Sequence, residues 1–275
     1  GKSTLDVFKA VEISGERLIV VDHHGALHGF SIDTKQGCTL SLDEAFGVAG
    51  TLKLPEKIEN LSRDSADHVF ASNGIFGGHV VKDGKQEFKC DIKGHVEIHG
   101  SGKWGIAPWV NATVRLVEVD ARACKSEDWV LQELNDDKNR KGPFANVNSA
   151  AIAGDLVLIG GVLAKSEDPK QPRRVIGFTR AGKEKLRFGN TDTAAPDSFG
   201  WVHAIEPCKT GICVLDSDQR RLSLWTRAGK HVASVELGKL LDLRDPWIPD
   251  FTIAKDGAAW LVVAQARDKS SVAEG

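Results

Sequence analysis

Residues 201–237 read WVHAIEPCKTGICVLDSDQRRLSLWTRAGKHVASVEL, and this stretch decides the architecture. It parses into four short runs of β-type residues, at 202–206, 211–215, 221–226 and 231–236. Pro-Cys-Lys-Thr-Gly, Asp-Ser-Asp-Gln and Arg-Ala-Gly-Lys separate them, and clusters of Gly, Pro and Asp punctuate strands in this way. Connections this short join only antiparallel neighbours. The stretch therefore predicts a four-stranded meander.

The same order of signals recurs on both sides. Residues 11–13, 17–21, 27–32 and 38–42 make one copy, and 58–61, 68–72, 78–82 and 87–92 a second, with Asp83-Gly84 as a hairpin signal. Residues 95–99, 103–107, 114–120 and 129–133 make a third copy, and 147–152, 156–160, 174–179 and 185–188 a fourth; downstream, 248–253 and 259–263 begin a last one. The second strands, marked by Leu18, Val69, Trp104, Leu156, Ile212 and Trp260, recur every ~48 residues on average, a period found in propeller blades and solenoid repeats. A β-sandwich also has short strands with frequent turns, but it does not usually repeat a four-strand unit in this order. The expected fold is all-β: a six-bladed β-propeller of four-stranded antiparallel blades, a single domain over residues 1–275. Its last blade is to be completed by an N-terminal strand at 5–10 or by residues absent from the chain. Helix is expected only at 237–243, before Asp245-Pro246, and as a short piece at 41–49.

Residues 212–235, ICVLDSDQRRLSLWTRAGKHVASV, resemble an NHL-type repeat: an apolar strand closing in Asp-Ser, a turn, Arg-Leu, an aromatic, then a Gly-containing hairpin and an apolar strand. Residues 18–37, LIVVDHHGALHGFSIDTKQG, are similar, with His23 in place of the Ser. The resemblance implies a six-bladed propeller. NHL-like and related propellers include protein- and RNA-binding modules, lactonases and other hydrolases, and lyases, so the resemblance names an architecture and not an activity.

Composition narrows the function classes. The chain carries 36 basic and 38 acidic side chains for a net charge of −2, which gives no general polyanion-binding surface, so nucleic acid is not an expected partner. The apolar run at 156–164 is far shorter than the ~18 residues a membrane helix needs, and Gly1-Lys2-Ser3-Thr4 opens no signal-peptide segment. No Gly-x-Ser-x-Gly elbow occurs, and no phosphate loop in a strand-to-helix setting. Cys208 and Cys213 flank a hairpin and are expected to form a disulfide, the alternative being two reduced thiols. A bridge points to an oxidising compartment, hence a secreted or periplasmic protein. Cys38, Cys90 and Cys124 have no evident partner, and five cysteines leave at least one outside any internal pairing.

In a propeller, the first strand of each blade lines the central channel. Those strands offer Lys9, Glu12, Glu59, Asn60, His95, Glu97, His99, Asn146, Asn148, Trp201, His203 and Asp250. A channel-mouth ligand site would draw on Asn60, Glu97, Asn148, His203 and Asp250, whose carboxylate and amide oxygens suit Ca²⁺ as the one cofactor to consider. His95 and His99 alternate with Glu97 on one strand face and offer a second metal set. The plainer reading of the same residues is a wet channel whose polar groups need only water. The leading expectation is an extracytoplasmic binding or scaffold module that recognises a protein or small-molecule ligand through loops on one face, or serves as a subunit of a larger assembly. Segments 135–144, 165–174 and 191–200 are such loops. The alternative is a metal-dependent, lactonase-like hydrolase with its site at the channel mouth.

Overall fold

The computed structural model describes residues 8–33, 39–63, 67–73, 77–90, 97–98, 104–109, 113–120, 123–128, 144–163, 173–190, 195–243, 246–254 and 256–265. Their strands are almost all antiparallel meanders. The first sheet runs β1 (Phe8–Ser14), β2 (Arg17–Asp22), β3 (Leu27–Asp33) and β4 (Thr39–Leu42), with β5 (Thr51–Leu52) also paired to β3. Four-stranded sheets follow: β6 (Asn60–Arg63), β7 (Val69–Asn73), β8 (Gly77–Lys82) and β9 (Lys85–Cys90); then β10 (Glu97–Ile98), β11 (Trp104–Trp109), β12 (Thr113–Asp120) and β13 (Ala123–Asp128). Next come β14 (Phe144–Ala153), β15 (Leu156–Leu163), β16 (Arg173–Thr179) and β17 (Glu184–Phe188), and then β18 (Val202–Cys208), β19 (Gly211–Asp216), β20 (Arg221–Trp225) and β21 (His231–Glu236). Among the described residues, the last sheet has two strands, β22 (Pro246–Ile253) and β23 (Ala259–Gln265).

The first strands of the sheets touch in cyclic order: β1 meets β6, β6 meets β10, β10 meets β14, β14 meets β18, β18 meets β22, and β22 returns to β1. This ring explains the residue patterns. Strands β2, β7 and β19 lie between neighbouring sheets, and their runs RLIVVD, VFASN and GICVLD are almost wholly buried. The outermost strands β4 and β21 face solvent with TLSL and HVASVE. Between the β14–β17 and β18–β21 sheets, Leu158, Val175, Phe188, Val202, Ile212, Val214 and Trp225 form one core. The Trp225 ring lies 4.7 Å from that of Phe188 and 5.3 Å from that of Phe199, and its Nε1 donates to Ser223 Oγ at 2.9 Å. Gly160 is what lets these sheets approach, since a Cβ there would sit 2.4 Å from Val202 Cγ1.

Several local expectations are corrected. Residues 41–49 form no helix: Ser41 is in β4, and Asp43 instead caps a turn, accepting from the N–H of Ala45 and, through its carbonyl, of Phe46. That turn drives Phe46 into the core, where Gly29 makes room for its ring. The outer strand of the third copy is β13, the polar run ACKSED, because a strand at the rim needs no apolar face; residues 129–133 lie outside the described residues. The helix after β21 is present as α1 (Leu237–Leu241), stopped by Asp242 at φ 52°. Cys208 and Cys213 are bridged. Cys90 and Cys124, read as partnerless, are bridged as well, from β9 to β13, so this disulfide ties the rims of two neighbouring sheets together. Phe8 and Ala10, in the segment expected to close the last blade, pair with β2 in the first sheet, and residues 5–7 lie outside the described residues.

Candidate functional site at the channel mouth

Four of the innermost strands slip register where they enter the ring. Opposite β2, Phe8 pairs with Asp22 and Ala10 with Val21, leaving Lys9 as an extra residue. Opposite β15, Val147 pairs with Gly161 and Ser149 with Gly160, leaving Asn148. Opposite β19, Val202 pairs with Asp216 and Ala204 with Leu215, leaving His203. Strand β22 slips in the same way between Trp247 and Asp250. A β-bulge frees one residue from the ladder and re-aims its side chain. Here Lys9, Asn148 and His203 all line one recess of about 400 Å³, whose walls come from β1, β6, β14, β18 and β22 or the residues just before them.

Of the residues expected at a site, Asn60, Asn148, His203 and Asp250 line this recess together, with Lys9, Glu59, Trp201 and Glu206. His95, His99 and the Glu97 side chain lie outside the described residues. Asn148 stands apart: its Nδ2 and Oδ1 are both buried and both lack a hydrogen-bond partner. Native structures leave few such groups, because an unmet buried amide costs about 1–3 kcal/mol. His203 Nε2 lies 2.7 Å from the Pro249 carbonyl, which fixes that ring nitrogen as the N–H donor. Burial lowers the Lys9 ammonium below the ordinary lysine value, and neighbouring Lys57 adds to this.

Behind the recess wall, β1, β6 and β22 share a buried polar cluster. Asp250 Oδ2 accepts from the Val11 N–H at 2.9 Å, and its Oδ1 from the Phe251 N–H at 2.8 Å. Burial pushes its carboxyl up to about 8, and the nearby Glu12 acts in the same direction. Glu12 is itself raised by burial, against the pull of Arg63, whose Nε lies 3.4 Å from Glu12 Oε1. Thr252 Oγ1 donates to the same Glu12 oxygen at 2.7 Å. The sequence pointed to Glu12 and Asp250, but Arg63 and Thr252 were missed, since nothing in spacing links residues so far apart.

Two of the residues expected to hold Ca²⁺ are engaged otherwise: both Asp250 oxygens accept backbone N–H groups, and His203 Nε2 is committed to a carbonyl. Among the described residues, no group of three or more His, Cys, Asp or Glu is placed to hold a metal ion. Two further polar clusters hold turns. Buried Asp216 accepts from the N–H groups of Gly200, Trp201 and Gln219. Asp22 accepts from those of His24 and Ala26 and bonds His28, which in turn meets Thr51. For Asp22, burial opposes ionisation, but these hydrogen bonds outweigh it and lower the carboxyl.

No protein-family model matches the chain, and no curated protein matches it in sequence. Solved structures do match in shape. The WD40 β-propeller domain of Doa1 superposes with a TM-score of 0.57 at 11% identity, covering 98% of this chain and 96% of that one. A chain of the mitotic checkpoint complex gives 0.55 at 13%, covering 95% and 75%, and the WD40 domain of Neurospora crassa Pan2 gives 0.53 at 9%, covering 93% and 86%. Identities this low speak to the fold alone. Sheet pairing, the cyclic contacts of the inner strands and these superpositions agree: the chain is an all-β propeller built from antiparallel four-stranded blades.

Proposed function

We propose that this chain is a six-bladed, NHL-like propeller that works as a binding module in an oxidising compartment, taking its ligand at the channel mouth. The observation that carries the reading is the convergence of three bulged residues, Lys9, Asn148 and His203, on one recess. A β-bulge re-aims a side chain out of its ladder, and three such residues from three sheets line the same space. The recess volume falls in the range of small-molecule sites. The two disulfides support an extracytoplasmic location. The six sheet units, counting β22–β23 as the start of the last blade, support the blade number.

Hydrogen exchange on the full chain tests this reading. Ligands found by a thermal-shift screen should protect 147–150, 201–206 and 249–250 together. Protection confined to the outer rim, or Ca²⁺-dependent hydrolysis of lactones that survives substitution of Lys9 and His203, would overturn it in favour of a rim scaffold or of the hydrolase.

A further inference from the structure

We infer that Lys9 is an amine nucleophile, and that the recess takes a small aldehyde or ketone whose carbonyl condenses with its Nζ to an imine. This deepens the binding-module reading and rests on it, since the carbonyl compound is then the ligand. The bulge in β1 lifts Lys9 out of its ladder and onto the recess wall, where it is half-buried. The exposed side chain of Lys57, just ahead of β6, comes within hydrogen-bonding reach of it. The backbone of Lys57 is held in place. Its carbonyl accepts from Asn73 Nδ2 at 2.5 Å, and it packs on Gly25, where a Cβ would stand 2.7 Å from Lys57 Cα.

Lysine ammonium groups only donate, so a hydrogen bond between two of them forms when one has given up its proton and accepts. Desolvation decides which. Loss of water penalises the charged form, so the proton leaves half-buried Lys9 and stays on exposed Lys57. Burial and the charge of Lys57 together hold the Lys9 ammonium below the ordinary lysine value, while Glu59 and Asp22 pull less strongly the other way. An amine kept neutral by burial and by a second cation is the form in which lysine attacks carbonyl carbon. The Nζ lone pair makes the C–N bond as the carbonyl π bond opens. Both N–H protons then pass through solvent to the oxygen, which leaves as water, and no oxidant or reductant is consumed. The recess of about 400 Å³ has room for such a compound beside Lys9.

The test exposes the full chain to propanal, benzaldehyde or butanone with cyanoborohydride, which reduces an imine to a stable amine, and follows each lysine by peptide mass mapping. At pH 7 at least one probe should label Lys9 at least about tenfold faster than the exposed Lys209 and Lys230. Lys57→Gln should bring the Lys9 rate down towards theirs at pH 7 and leave it unchanged at pH 11, where every amine is neutral. A lysine with a merely structural role would show no such shift of its pH profile. Lys9→Gln should abolish the fast adduct and keep the melting temperature, since the bulged residue pairs with nothing in the ladder. A Lys9 rate equal to that of the exposed lysines with every probe, or one whose pH profile Lys57→Gln does not move, would overturn the nucleophile. The binding-module reading would then stand or fall separately, with the hydrogen-exchange protection of 147–150, 201–206 and 249–250.

Discussion

The Asp250 carboxylate receives the backbone N–H of Val11 at 2.9 Å across 239 positions of sequence. This bond joins the last sheet to the first. With Glu12 bonded to Thr252, and Val11, Ile13, Leu18 and Val20 packed on Val262, it closes the ring without a strand exchanged between the two sheets among the described residues.

The seam should make stability depend on pH. Asp250 has its folded value raised from 3.8 to about 8, and Glu12 is raised as well, so the folded state holds protons that the unfolded chain releases. The stabilisation is then fully present below about pH 4 and is lost as pH rises towards 8, where Glu12 and Asp250 face each other charged, with Arg63 and Asp67 as the other charged neighbours. Denaturant unfolding between pH 5 and 8 should show a loss on the order of 3 kcal/mol from this source. Asp250→Asn should flatten the slope; a wild-type curve that rises over this window would refute the account.

Reduction should loosen one side of the ring before the rest. Cys90 and Cys124 enclose a sequence separation of 34, which corresponds to about 4 kcal/mol of loop-closure stabilisation, whereas the separation of 5 between Cys208 and Cys213 corresponds to about 2. Replacing Cys90 and Cys124 together by Ala should therefore lower the melting temperature more than replacing Cys208 and Cys213. Thiol titration of the unreduced, unfolded chain should find Cys38 alone.

Gly160→Ala should destabilise. The new methyl would meet Val202 Cγ1 at 2.4 Å and Ile205 Cδ1 at 3.1 Å, both in a packed core, and overpacking of this kind costs about 1–3 kcal/mol. Val202→Ala in the same chain should recover part of the loss, which thermal unfolding of the single and double variants would show.

Asp216→Ala would strip the acceptor from three N–H groups at once, those of Gly200, Trp201 and Gln219. A loss of about 2–4 kcal/mol is expected. Because Trp201 lines the recess, ligand binding should weaken as well, so calorimetry on the variant checks both effects.

Much of the fold was legible because its turns are punctuated by Gly and Asp. Asp83-Gly84 and the Gly229 hairpin occupy left-handed or otherwise special backbone positions, and the strands they join fall close to where the repeats placed them. Rim strands were harder: β13 falls at Ala123–Asp128 where the repeats placed a strand at 129–133, since its run ACKSED carries no apolar alternation. Phe46 misled in the opposite direction: Ser41, Asp43 and Glu44 look like a helix start, but the buried ring and the following Gly47 and Gly50 at positive φ make a tight turn. At the channel, the first-strand rule named Asn60, Asn148, His203 and Asp250, which share one recess, but not the register slips that put three of its side chains there. A bulge depends on pairing between strands, and so has no signature in either strand alone. The Cys90–Cys124 bridge was hidden for the same reason, because it spans two sheets.

The register slips also separate two kinds of constraint. Lys9, Asn148 and His203 sit outside the pairing that holds their sheets, so a change of side chain at any of them alters what the mouth presents while the ladder on either side keeps its partners. Lys9 and Asn148 can change in chemistry while their ladders keep every partner, whereas His203 also holds the Pro249 carbonyl of the next sheet. What the ring shows to a guest is thus set largely apart from what holds the ring together.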